Sequence, residues 1–142
     1  MKKIKLALTF SILIAATSLS ACAIQQNVRS VQGHGIEEVC IRNNPSTKMS
    51  AYQPMLQRLI EAKRISTRIY DGRLPEDCEY NLSYTANWSW DGGMYLRYNK
   101  IDVFKGRTPV GSAEYKAGLM SLAKWGKTET KVGPLIDQLF PN

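Results

Sequence analysis

Between Leu82 and Trp90 the chain alternates strictly: Leu82, Tyr84, Ala86, Trp88 and Trp90 are apolar, while Ser83, Thr85, Asn87 and Ser89 are polar. A period of two places the first set on one face of an extended strand and the second on the other. The segment therefore reads as a strand of a sheet with one covered face and one wet face. Asp91-Gly92-Gly93 has the chemistry of a tight turn, and a returning strand runs from Met94 to Phe104. In that strand Met94, Leu96 and Tyr98 keep one phase, and Ile101 and Val103 the other, which predicts a bulge near Asn99–Lys100. After the turn Lys105-Gly106-Arg107, Val110 to Ala117 forms a third strand, with Ala113, Tyr115 and Ala117 on one face. The pattern is a three-stranded antiparallel meander.

Upstream, Ile36 to Ile41 is a short strand closed by the turn residues Asn43-Asn44-Pro45-Ser46. Tyr52, Met55, Leu56, Leu59 and Ile60 follow at helical spacing. A helix starting at Gln53 would hold Pro54 at its first position, where no backbone donor is needed. Ile65 to Tyr70 alternates again as a strand. Downstream, Val132, Leu135, Ile136 and Leu139 are spaced for a short C-terminal helix, whose start Gly133-Pro134 would delay. The predicted fold class is α+β: a strand–helix–strand unit, then the meander, then a helix, in one domain over residues 36–142.

The N-terminus carries a different message. Lys2, Lys3 and Lys5 precede an apolar run from Leu6 to Ala16. Eleven helical residues rise about 16 Å, half of a ~30 Å hydrocarbon core, so the run reads as the core of a signal peptide over residues 1–21. It ends Leu19-Ser20-Ala21-Cys22, which resembles the lipobox of bacterial lipoproteins. That resemblance implies diacylglyceryl transfer to the Cys22 thiol, cleavage before Cys22 and acylation of its amino group. Two or more acyl chains anchor a protein stably where one does not. Ala23, rather than Asp, follows Cys22, and by resemblance to the sorting rule of diderm bacteria this implies an outer-membrane, periplasm-facing location. Residues 22–35 lack helical periodicity and end in Gly33-His34-Gly35, so they read as a lipidated tether, reaching at most roughly 45 Å.

The net charge of +7 partly belongs to the leader, since without its three lysines 16 Lys+Arg face 12 acids, a net +4. That excess is weak evidence for a nucleic-acid partner, and the compartment argues against one whatever the charge. With Cys22 acylated, Cys40 and Cys78 remain as an even pair in an oxidising compartment. Both can lie on one edge of the sheet and form a disulfide; the alternatives are two separate buried thiols or a metal pair. One histidine and no Cys-x-x-Cys make a metal centre a poor reading, and no cofactor motif is present. His34 reads as a solvated linker residue, and Asp71, Glu76, Asp77 and Glu79 as a solvated acidic loop. Lys63, Arg64 and Arg68 read as a basic helix end. Tyr84, Trp88 and Trp90, with Tyr95 and Tyr98 nearby, either pack under a helix as core or line a groove for a glycan or aromatic ligand.

Several strings taken together carry a resemblance: Val39-Cys40-Ile41 with Asn44-Pro45, Cys78, Tyr84-Thr85-Ala86-Asn87-Trp88-Ser89-Trp90-Asp91, and Ile136-Asp137-Gln138-Leu139-Phe140-Pro141. They resemble a family of small proteobacterial lipoproteins, which implies a lipidated periplasmic α+β domain and no assigned activity. Gly92-Gly93 departs from that pattern, where larger apolar residues are expected, as do Pro54 and Pro134 in the helical segments. The reading of the whole sequence is a non-catalytic, lipid-anchored envelope module with the membrane and an envelope protein as partners. A ligand-binding lipoprotein using the Trp/Tyr face is the alternative. A hydrolase would need two of Asp71, Asp77 and Glu79 to meet across a cleft.

Overall fold

The computed structural model describes residues 24–31 and 35–142. Its elements are β1 (Gln25–Arg29), β2 (Glu38–Arg42), α1 (Tyr52–Glu61), β3 (Ser66–Tyr70), β4 (Tyr80–Trp90), β5 (Met94–Lys105), β6 (Thr108–Lys116), a 3-10 turn (Leu122–Trp125) and α2 (Thr128–Leu139). The strands form one sheet in the order β1-β6-β5-β4-β2-β3. β4, β5 and β6 make the antiparallel meander, while β2 pairs in parallel with β3 and with β4. The domain is α+β, with the strand–helix–strand unit joined through β2 to one side of the meander.

The core lies between the helices and the alternating face of the sheet. Leu82, Ile101, Val103, Ala113 and Tyr115 from the meander, with Val39 and Ile41 from β2, meet Tyr52, Leu56 and Ile60 of α1 and Val132, Leu135, Ile136 and Leu139 of α2. Asn99 is buried among them, and its amide donates to the phenolic oxygen of Tyr52 and, at 3.0 Å, to the Thr85 carbonyl. Burial raises the Tyr52 phenol far above its ordinary pKa.

Four sequence expectations are corrected. Residues 25–29, read as tether, are an edge strand paired along its length with β6. The segment continues into the core: Val31 is buried, and its N–H donates to the Leu139 carbonyl at 2.9 Å. Gly111 makes room for this crossing, because a Cβ there would stand 2.2 Å from Val31 Cγ1. The domain therefore begins about eleven residues earlier than residue 36. The rest of the tether, residues 32–34 with His34, and the leader through Ala23 with Cys22 lie outside the described residues.

The bulge falls at Arg97, since Asn87 faces Tyr98 while Trp88 faces Leu96, and a second irregularity separates Val103 from Phe104. α2 starts at Thr128 and carries Gly133 and Pro134 inside it. Its first turn is supported by the Thr130 hydroxyl, which donates to the Lys127 carbonyl at 2.7 Å. α1 starts one residue early, at Tyr52, and Pro54 remains within its first turn, where its missing N–H costs nothing.

Candidate functional site

Cys40 and Cys78 form a disulfide, with Cα atoms 6.3 Å apart and 38 residues of separation. Cys40 lies in the middle of β2 and Cys78 in the loop before β4. β2 and β4 are paired at only two positions, Cys40–Asn81 and Ile41–Leu82, against five between β2 and β3. The bridge therefore fastens the strand–helix–strand unit to the meander where the ladder is shortest.

The three aromatic residues of the alternating strand separate along its length. Tyr84 is buried and its hydroxyl donates to Gln53 Oε1 at 3.0 Å; its ring lies 5.2 Å from that of Tyr52. Trp88 is half-buried, edge-on to Tyr52 at 5.7 Å, with its indole N–H directed at the Thr128 hydroxyl 3.4 Å away. Both are core-facing residues. Trp90, in the same phase, is 70% exposed. The core reading fails for it because the β4–β5 hairpin runs past the helices that cover the rest of the face.

Exposed apolar surface gathers around that overhang. Met94 stands opposite Trp90 across the hairpin, and Leu119 shares a cleft with both; Met120 and Leu122 follow in the same loop. With Met49 and Trp125, these are all the large hydrophobic side chains exposed among the described residues. The cleft beside Trp90 has a volume of about 900 Å³ and is open to solvent. Its charged lining residues are Lys48, Arg97 and Lys116, with no carboxylate.

The loop after β6 is held in place by one lysine. Lys124 is buried; its ammonium donates to the Asp91 carboxylate in the hairpin turn and, at 2.7 Å, to the Leu119 carbonyl. It lies over the rings of Tyr95 and Trp125, 5.4 and 4.6 Å from their centroids. The Trp125 indole donates to the Asp91 carbonyl at 2.7 Å, and a Cβ at Gly93 would sit 3.0 Å from that ring. Gly93 is thus what allows Trp125 to close on the turn. The signal for this loop is Leu119, Met120 and Leu122 in a stretch without strand or helix periodicity; nothing local in the sequence tied it to the hairpin.

Asp77 and Glu79 line one cleft of about 360 Å³ together with Glu37 and Glu38, Asp71 and Glu76 are not among its lining residues, and each of the four acids of the loop has a partner of its own. Asp71 accepts from the Asn43 amide at 2.8 Å, Asp77 pairs with Arg68 at 2.9 Å, Glu76 with Arg73 at 3.6 Å and Glu79 with Lys105 at 2.8 Å. The Arg68 guanidinium holds the Asp77 carboxyl below its ordinary pKa. Arg68 also meets Glu38 at 2.9 Å, and Lys63 reaches Asp137 at 3.5 Å, linking α1 to α2. Arg68 thus belongs to β3 and not to the helix end where the sequence reading places it, and Lys63 and Arg68 both pair with acids of other elements of this chain. Among the described residues no group of three or more His, Cys, Asp or Glu side chains is placed to hold a metal ion, and no helix is long and apolar enough to cross a membrane.

The solved structures that share the fold include two of PelC. One is the dodecamer of a leucine-to-methionine variant of PelC from Paraburkholderia phytofirmans, with TM-score 0.57 and 15% identity, covering 82% of this chain and 93% of that one. The other is a PelC dodecamer from the same organism, with TM-score 0.56 and 13% identity, covering 82% and 94%. The likeness is one of fold, and it extends over nearly the whole length of PelC. Neither a protein-family model nor a curated protein matches the sequence.

Proposed function

We propose that this chain is a lipid-anchored protein of the cell envelope, held on the periplasmic side of the outer membrane through Cys22. It works by contact with envelope partners, copies of itself among them, and not by catalysis. The observation that carries this reading is the hairpin end, where exposed Met49, Trp90, Met94 and Leu119 share one cleft and Lys124 ties the Leu119 carbonyl to the Asp91 turn. A preorganised apolar surface of this kind marks an interaction site. Asp77 and Glu79 share a cleft, but each is paired with a cation, Arg68 and Lys105, which supports the non-catalytic part. The dodecameric state of the two similar PelC structures supports self-association as the first partnership to examine.

Crosslinking in intact cells, followed by purification of the native protein and of Cys22→Ala, tests the proposal. Crosslinked copies or a specific envelope protein, lost when the anchor is removed, is the expected result. Recovery of the native protein alone refutes it. The exposed Trp90 beside a roomy cleft favours a second reading, a ligand such as a glycan bound there. Saturable changes in tryptophan fluorescence on titration with envelope glycans, abolished by Trp90→Ala, would establish it.

A further inference from the structure

We infer that the hairpin end docks on the lipid bilayer itself, so that Trp90, Met94, Leu119 and Met120 enter the interface beside the acyl chains of Cys22. The inference rests on acylation of Cys22 and names the contact that the hairpin end makes.

Gln25, the first residue of β1, pairs with Lys116 at the end of β6, which pairs in turn with Tyr98, which pairs with Asn87. These four residues mark one level across the sheet. Beyond it, β4 continues for three residues to Trp90, an overhang of about 10 Å. On the other side of the same end, the chain that precedes Gln25 has three residues back to Cys22, a reach of at most about 10 Å. β1 enters the sheet at the end from which the hairpin projects. Once Gln25–Arg29 is a strand, no long tether remains to hold the domain clear of the headgroups. The anchor brings the bilayer to within reach of the hairpin end, and that end is the apolar one.

The chemistry agrees. An indole with methionine and leucine side chains around it suits the headgroup–acyl boundary. Lys48, Arg97 and Lys116 line the cleft below Trp90 without a carboxylate among its lining residues, an arrangement that attracts anionic lipid. Asp91, the acid in the turn, is neutralised by Lys124. A second copy of the chain would cover apolar surface equally well, but it would not account for the coincidence of this surface with the anchor.

The test is fluorescence quenching of the acylated full chain, reconstituted in phosphatidylethanolamine–phosphatidylglycerol vesicles whose acyl chains carry bromine. Flotation of the vesicles first establishes attachment. Bromine quenches tryptophan only on contact, and the chain has three tryptophans, of which Trp88 is directed at Thr128 and Trp125 at Asp91. The expected result is strong quenching of the native protein, the larger part of it lost in Trp90→Phe. Trp90 is exposed, so this change leaves the fold intact, and unchanged circular dichroism verifies that. A protein that floats without quenching overturns the docking and leaves the anchor standing. Failure to float overturns the anchor and the docking together. Shielding of Trp90 only within an oligomer, in detergent as in vesicles, overturns the docking and assigns the surface to a second copy.

Discussion

Reduction of the Cys40–Cys78 bridge should weaken the domain at a defined place. The closed loop spans 38 residues, and constraining a loop of that length in the unfolded chain is worth about 4 kcal/mol at 25 °C on the chain-entropy model. For a domain of this size, 1 kcal/mol corresponds to roughly 4 °C in melting temperature, so the loss amounts to about 15 °C. The structure adds where the loss falls. β2 and β4 share only two ladder pairs, so the reduced protein should open between the strand–helix–strand unit and the meander. Thermal melts of the detergent-solubilised protein, oxidised and fully reduced, followed by circular dichroism, measure the magnitude. Hydrogen exchange locates it, with protection lost first at Cys40 to Arg42 and Asn81 to Ser83. Cys40→Ala with Cys78→Ala should lose slightly more than reduction, because Cys40 is fully buried and the change also empties space. Melting temperatures that agree within about 3 °C in the two redox states would refute the reasoning, as would alkylation of either cysteine in the unreduced folded protein.

Trp88→Ala should cost about 2 kcal/mol, since its half-buried ring and its indole contact are both lost, whereas Trp90→Ala should change stability by less than about 0.5 kcal/mol; urea denaturation of both variants separates them. The Tyr52 phenol, raised by burial, stays protonated in the folded state when the unfolded chain begins to ionise near pH 10, so stability is full below that pH and falls as pH rises through it. Tyr52→Phe should flatten this alkaline loss while lowering stability at neutral pH by about 1 kcal/mol through the missing Asn99 hydrogen bond. Lys124→Ala should free the loop around Leu119 and leave the sheet intact, seen as faster proteolysis between Ala117 and Trp125 with unchanged strand signal.

What was legible in the sequence followed from periodicity. Leu82 to Ala86 alternate because one face of β4 meets the helices, and the β4–β5 hairpin, the meander and the parallel β2–β3 pair all follow from such local patterns. β1 left no pattern to read: in Gln25-Gln26-Asn27-Val28-Arg29 one apolar residue stands among polar ones, because an edge strand buries little on either face. Its place is fixed by β6, whose paired residues lie 83 to 91 positions further along the chain, outside any local window. Gly133 and Pro134 suggested a break, yet α2 is continuous through them, because burial of Val132, Leu135, Ile136 and Leu139 outweighs the lost backbone donor. Trp90 shares the phase of Trp88 but not its cover; alternation assigns a face and says nothing about how far the helices extend over it. The hairpin-end site required both β1 and the Lys124 contacts, two long-range facts, and so it emerged only in three dimensions.

The central claim, a domain fastened to the outer membrane through Cys22 and acting there by contact, is tested most directly by mass spectrometry of the N-terminal peptide of the protein isolated from membranes. The account predicts a chain that begins at Cys22 and carries diacylglycerol on its sulfur and an acyl chain on its amino group. A mature N-terminus at any other residue, or an unmodified Cys22, would contradict it.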